Sequence, residues 1–283
     1  MRTRRDSGRI RPGGAALTKD KPTVGLASTV DKRPSAGIGT LGEYSLHADL
    51  KRWYAQEGDR LEVNVDGFIV DVMRGELLVE IQTRNFSAIK RKLAQLADIH
   101  PIRLVYPIAQ EKWIVRVGRD GKKVLRRRLS PKRGRLLDIF DELVHIPSLL
   151  REPTVSFEAL LIEEEEVRRD DGRGSWWRRG ISTLDRRLIR VVSRNVFEGP
   201  KGFLKFLPSG LPQPFTTRNL AEALDEPHHI AQKIAYTLRE MGAIRVAGKR
   251  KNAILYSLRE DAAPGLPRRR PGGAGRDPYS FTL

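Results

Sequence analysis

The stretch Gly67 to Thr83, GFIVDVMRGELLVEIQT, decides the fold. It divides into two β-like runs, Gly67 to Met73 and Glu76 to Thr83, both rich in Val, Ile, Leu and Phe. The link between them, Arg74-Gly75, has the size and glycine content of a two-residue hairpin turn. Such a turn pairs Met73 with Glu76 and Asp71 with Leu78, so side chains 69, 71 and 73 share a face with 76, 78, 80 and 82. Asp71, Glu80 and Gln82 then converge on an otherwise apolar hairpin. Two carboxylates in one half-buried patch repel each other and resist desolvation, and a divalent cation held by oxygen ligands is the usual relief. The competing reading is plain: one exposed face of a hairpin commonly carries such residues.

Upstream, Leu41 to Tyr54 reads as an amphipathic helix with the apolar stripe Leu46, Leu50 and Trp53, and Glu43 falls on that stripe. A carboxylate there either serves the site or sits in the first turn, where the helix dipole favours it. His47, one turn after Glu43, either lines the same cleft or is a surface or capping residue. Downstream, Phe86, Ile89, Leu93 and Leu96 fall at the spacing of a helix's core stripe. Lys90 and Lys92 on that helix read as solvated charges, with a swing toward the acids as the alternative.

The order helix with Glu43, strand, strand with Asp71, strand with Glu80-Ile81-Gln82, helix, strand resembles the PD-(D/E)xK nuclease superfamily, which includes restriction endonucleases. The resemblance covers Glu43 to Ile108. It implies an α/β fold with a restriction-endonuclease-like mixed central sheet flanked by helices, and phosphodiester hydrolysis with Mg2+ or Mn2+. Residue by residue, Glu43 would be the helix-borne acid, Asp71 and Glu80 the metal ligands with the Ile81 carbonyl, and Gln82 the position usually held by lysine. Glutamine can hydrogen-bond but carries no charge for the phosphate.

The chain carries 53 Lys and Arg against 35 Asp and Glu, a formal net charge of +18, which attracts polyanions. No run approaches the roughly 20 apolar residues a bilayer span requires, and no signal-peptide core follows the N-terminal arginines. A cytoplasmic or nucleoid location and no membrane partner are expected. The absence of cysteine excludes thiolate zinc sites and disulfides, and the five histidines are too scattered for a His-only cluster. Residues 1–37, with nine basic and three acidic residues and no apolar period, and the Pro/Gly/Arg-rich tail 262–283 read as disordered.

Between Lys112 and Arg135 stand eleven basic residues and one acid. Alternation at Trp113, Val115 and Val117 predicts a β-ribbon turning at Arg119-Asp120-Gly121, with Lys122, Lys123, Arg126, Arg127 and Arg128 presented to phosphates and Trp113 packed beneath. Leu136 to Leu150 reads as a helix, Phe157 to Val167 as a strand, and Glu163 to Glu166 as its solvated, charged end or edge. Trp176-Trp177 falls in a Gly-rich linker, and Leu184 to Val196 reads as a basic helix.

After a Gly/Pro-rich stretch to Pro214 come a threonine-capped helix from Arg218 to Leu224, a turn at Asp225-Glu226-Pro227, a helix from His228 to Met241 closed by Gly242, and a hairpin. This order resembles the winged-helix DNA-binding family. The resemblance implies a core face of Ile230, Ile234, Leu238 and Met241, a groove-facing set of His228, His229, Gln232, Lys233 and Tyr236, and a wing of Lys249, Arg250 and Lys251. The alternative is a winged helix used for protein contact.

Together these readings predict a basic tail at 1–37, a nuclease-like domain with its ribbon at 38–150, a strand and linker at 151–183, a winged-helix domain at 184–260 and a second tail at 261–283. The function expected is a metal-dependent DNA endonuclease or nuclease-derived processing factor. Its rival is a DNA-binding regulator or scaffold with an inactive nuclease-like domain. The partner is nucleic acid, DNA by preference, and the sequence leaves open whether the chain dimerises or joins a complex.

Overall fold

The computed structural model describes residues 45–174 and 180–259. Glu43, Trp176-Trp177 and the two tails lie outside them. The molecule is α/β, built on a mixed sheet flanked by helices.

The sheet begins with an antiparallel meander, β1 (Arg60–Val65), β2 (Phe68–Arg74) and β3 (Leu77–Ile81). The hairpin differs from expectation by its register: Arg74 pairs with Leu77 and Met73 with Leu78, so the turn is Gly75-Glu76. Gly75 takes φ +57°, which suits glycine at the first central position of a type II′ turn. Arg74 stays in the strand, where its guanidinium binds the Asp59 carboxylate at 2.7 Å and the Tyr54 carbonyl at 2.9 Å. The shift is two residues in sum, so the shared face survives, and the register continued one step sets Asp71 across from Glu80.

Helix α2 (Phe86–Ala97) then carries the chain over the sheet to β4 (Ile102–Val117), which pairs parallel to β3, since a parallel connection needs a crossover. β4 is long. Its first half neighbours β3, while its far half pairs with β5 (Val124–Leu129), forming the expected ribbon. Along its other edge runs β6 (Val155–Asp170), parallel, and beyond that β7 (Ile181–Glu198), antiparallel.

Two apolar layers sandwich this sheet. Helix α1 (Ser45–Tyr54) lays Leu46, Leu50 and Tyr54 over Val72, Val79, Ile81, Val105, Leu160 and Ile162. Tyr54, not Trp53, completes the stripe, because its hydroxyl donates to the buried Glu158 at 2.8 Å while Trp53 remains 41% exposed. On the opposite side α2 buries Phe86, Leu93 and Leu96.

Two helix expectations are overturned. Leu184 to Val196 is not a helix but most of β7. Leu184, Leu188 and Val191 happen to recur at helical spacing, but the β-branched residues and the partner strand decide: Arg186, Arg190 and Arg194 ion-pair with Glu164, Glu163 and Glu158 of β6. Glu163 to Glu166 is accordingly no wet strand end. Glu164 is fully buried and Glu166 nearly so, inside a sheet interior that supplies cations. Leu136 to Leu150 is not one helix but a 3-10 turn (Leu136–Ile139), the short α3 (Phe140–Leu143) and the start of a second 3-10 turn (Leu149–Arg151), with Pro147 disfavouring continuation.

After β7, Phe203 and Phe206 of a 3-10 segment (Pro200–Phe206) stack on Phe197 at 4.7 and 5.5 Å, so the Gly/Pro-rich stretch before Pro214 contributes to the core. Helix α4 (Thr217–Leu224) is capped by Thr216, whose hydroxyl accepts from the Asn219 amide at 3.2 Å. Helix α5 (His228–Glu240) follows, then the hairpin β8 (Ile244–Arg250) and β9 (Ala253–Leu258). Ile234, Leu238 and Met241 face inward as expected, in an apolar core continuous with that of α2 and β6. The boundary expected at residue 184 therefore falls inside β7.

Candidate functional site

The site forms where the β2–β3 ladder ends. Pairing stops at Val72 with Val79, and the next inward amide, that of Ile81, donates to the Asp71 carboxylate at 2.8 Å instead of to backbone. An acid in a buried strand thus substitutes for a ladder bond. Helix α1 brings an imidazole and an ammonium to the same carboxylate, one turn apart: His47 Nε2 at 3.1 Å from Oδ2 and Lys51 Nζ at 3.8 Å from Oδ1. Lys51 also binds Glu62 at 2.7 Å. Burial alone would push the Asp71 carboxyl up. The His47 contact, the Ile81 amide and the Lys51 charge outweigh it and hold the group below the usual carboxylate range.

Glu80 behaves oppositely. Its side chain is 10% exposed, and burial together with the neighbouring Asp71 charge raises its pKa, against the opposing pull of Lys92. Lys92 reaches from α2 to Glu80 Oε2 at 2.6 Å and donates to the Ile69 carbonyl at 2.6 Å. The lysine of this site therefore comes from the helix, not from position 82. The reading of Lys92 as a solvated helix charge is corrected. Gln82 turns its amide to the Arg84 carbonyl.

Asp71, Glu80 and Ile81 are thus brought together, and Gln82's side chain is engaged elsewhere. His47, Lys51 and Lys92 complete the cluster. Among the described residues, no three His, Asp or Glu side chains form a group able to hold a metal ion. The oxygen donors at this point are two carboxylates and the Ile81 carbonyl.

Of the residues expected at nucleic acid, Lys122, Lys123, Arg126, Arg127 and Arg128 are exposed along the ribbon. Arg127 differs from its neighbours: it lies 3.9 Å over the Trp113 ring and binds Glu165 at 3.1 Å. On α5, His229, Gln232 and Tyr236 are exposed, and His228 meets the Thr217 hydroxyl at 2.8 Å. Lys233 is turned to Asp141 at 2.7 Å, an ion pair between α5 and α3 that the polar-face reading missed. Lys249, Arg250 and Lys251 stand exposed at the β8–β9 tip.

A family model described as a domain of unknown function, DUF8091, matches residues 44–198, more than half of the 283-residue chain. The chain belongs to the DUF8091 family. The DUF8091 match runs from beside α1 to the last residue of β7, so it contains the whole seven-stranded sheet and every residue of the acid cluster. An uncharacterized protein of Treponema pallidum (strain Nichols) is 29% identical over 242 residues, spanning 85% of this chain and 91% of its own. That length exceeds the 198 residues up to the end of β7, so the similarity extends into the C-terminal elements. No solved structure matches.

Proposed function

We propose that this DUF8091 protein is a PD-(D/E)xK-type nuclease that hydrolyses phosphodiester bonds in DNA, with its reaction centre at Asp71 and Glu80. The observation that carries the reading is the closeness of a half-buried Asp71 and a buried Glu80 where the β2–β3 ladder ends, with Lys92 bound to Glu80. The element order α1, β1, β2, β3, α2, β4 adds to it. A lysine supplied by α2 answers the objection that position 82 is glutamine.

The donor set fits Mg2+ or Mn2+, since magnesium is usually held by one or two carboxylates together with substrate phosphates and water. Asp71, Glu80 and the Ile81 carbonyl would hold the ion, which when bound supplies charge against the phosphate and a more acidic water. His47 and Lys51 keep Asp71 ionised. Lys92 keeps positive charge beside Glu80 in a site of low exposure, where it can meet a phosphate oxygen. Glu43 remains the candidate third acid. The α4, α5 and β8–β9 arrangement would serve as a winged helix, with His229, Gln232 and Tyr236 toward the DNA and Lys249 to Lys251 on its backbone.

A second reading, a DNA-binding scaffold with an inactive centre, is favoured by two observations: Lys92 is already ion-paired with Glu80, and the Gln82 amide bonds the Arg84 carbonyl. The deciding experiment incubates the protein beside Asp71→Ala and Glu80→Ala with labelled duplex, single-stranded and branched DNA in Mg2+ or Mn2+. Cleavage by the native protein alone supports the nuclease. Binding by all three with no cutting supports the scaffold.

A further inference from the structure

The far end of the sheet places like charges side by side. Arg116 of β4 is paired with Arg126 of β5 on one edge and with Arg168 of β6 on the other. Neighbouring strands lie about 4.8 Å apart, and directly opposed like charges destabilise a sheet. Two residues back on the same face, Arg128 stands opposite Ile114. These four arginines, with Ile114 and Ile181, line a groove of about 230 Å3. Asp170 answers Arg116 at 2.7 Å and Glu166 answers Arg168 at 2.8 Å. Among the described residues, no carboxylate lies within ion-pair distance of Arg126 or Arg128. Arg116, Arg126 and Arg128 are exposed, so the groove is open to an incoming anion.

From this row of cations we infer that the groove is a phosphate-binding subsite for the backbone of a nucleic-acid strand, remote from the Asp71 and Glu80 centre. β4 connects the two places: Val105 pairs with Ile81 at the centre, and the strand rise from Val105 to Arg116 covers roughly 36 Å. A strand engaged at both points spans about eleven base pairs of duplex, at 3.4 Å each. Arginine's planar fork binds phosphate oxygens in pairs, and such binding holds the backbone without reading bases. Arg127, on the other face, takes no part. The inference rests on the nucleic-acid reading above but does not require cleavage.

The test measures binding of a fluorescent duplex of about 24 base pairs, roughly 80 Å long, by anisotropy across a salt series in EDTA. The native protein is compared with Arg126→Ala/Arg128→Ala and with Arg127→Ala. The double variant is expected to bind at least about ten-fold more weakly at low salt, with its log Kd against log salt slope reduced by about 2, one for each phosphate that an arginine no longer neutralises. Arg127→Ala is expected to keep the native slope. Equal slopes for native protein and double variant overturn the inference while leaving the nuclease proposal standing. Loss of binding to a labelled nucleoside triphosphate with no change in the duplex slope assigns the groove to a small anion and overturns it as well. No duplex binding by the native protein overturns both.

Discussion

Asp71 and Glu80 are two acids that differ in what surrounds them: Asp71 accepts a backbone amide and faces His47 and Lys51, whereas Glu80 is buried beside Asp71 with Lys92. Divergent environments of this kind are how one site keeps two carboxylates in different states. Removing Lys92 leaves Glu80 next to an ionised Asp71 with its closest compensation gone, which favours the protonated acid. Lys92→Ala is therefore expected to lower cleavage by about 100-fold, the scale on which loss of one electrostatic partner acts, while Lys92→Arg retains part of it. Gln82→Ala, whose amide serves the Arg84 carbonyl, is expected to change the rate by less than about three-fold. Single-turnover cleavage of both variants decides, and the reverse ranking would return the catalytic role to position 82. Asp71 and Glu80 were legible in the sequence because an acid within an apolar strand is conspicuous. Lys92 was not, because a lysine flanking the stripe of a helix looks the same whether it meets water or a carboxylate across the sheet.

Among the elements, β4, β6 and β7 share an ion-pair ladder within the sheet: Lys112 of β4 and Arg186 of β7 flank Glu164 of β6, and Lys112 and Arg168 flank Glu166. The same ladder hid β7 from sequence reading. Register shifts at Leu161/Ile162, Glu163/Glu164 and Val167/Arg168 break the period of two, and the leucines and valines left over fall at helical spacing. Charge complementarity between Glu163–Glu166 and the arginines of β7 was the available signal, but it becomes meaningful only once the strands are known to pair. The ladder makes a pH prediction. Burial opposes ionisation of Glu166, but Arg168 and Lys112 prevail and bring its pKa from 4.5 down to about 2. A carboxyl depressed on folding stabilises above its unfolded pKa and loses that contribution as pH falls through the folded value. The window is thus from about pH 4.5 to about pH 2, and the size is on the order of 3 kcal/mol for a side chain this little exposed. Glu166→Gln is expected to be less stable than native protein by that order at neutral pH, with the gap closing toward pH 2. Urea unfolding at pH 7, 4 and 2.5 measures it, and a gap that stays constant with pH would rule the linkage out.

At the level of the whole molecule, the family boundary and the physical boundary disagree. The DUF8091 match ends at Glu198, yet the core on the α2 side of the sheet continues through Phe203, Phe206, Phe215, Leu220, Ile234 and Leu238 to Tyr256. Phe197, the penultimate residue of the match, is sandwiched by Phe203 and Phe206, and Phe140 meets Phe206 edge-on at 5.0 Å. The C-terminal helices are also tied to the sheet domain by Arg135 to Glu226 and Lys233 to Asp141. Surface pairs of that kind contribute little, about 0 to 1 kcal/mol each, so the aromatic layer decides. Burying one large apolar side chain stabilises by roughly 1.5 to 3 kcal/mol. A chain ending at Glu198 exposes Phe157, Phe197 and Phe140 together, a loss comparable to the about 5 to 15 kcal/mol that holds a whole domain folded. It is expected to bind a hydrophobic dye and to unfold without a cooperative transition, whereas the full chain unfolds in one step. A sharp, native-like transition in the shortened chain would show the DUF8091 portion to be an independent domain. Under the proposed function, the Asp71 and Glu80 centre and the DNA-facing α5 could then move separately; with a shared core, α5 is fixed in orientation to that centre, and the position of cleavage relative to the bound site would be a property of the fold.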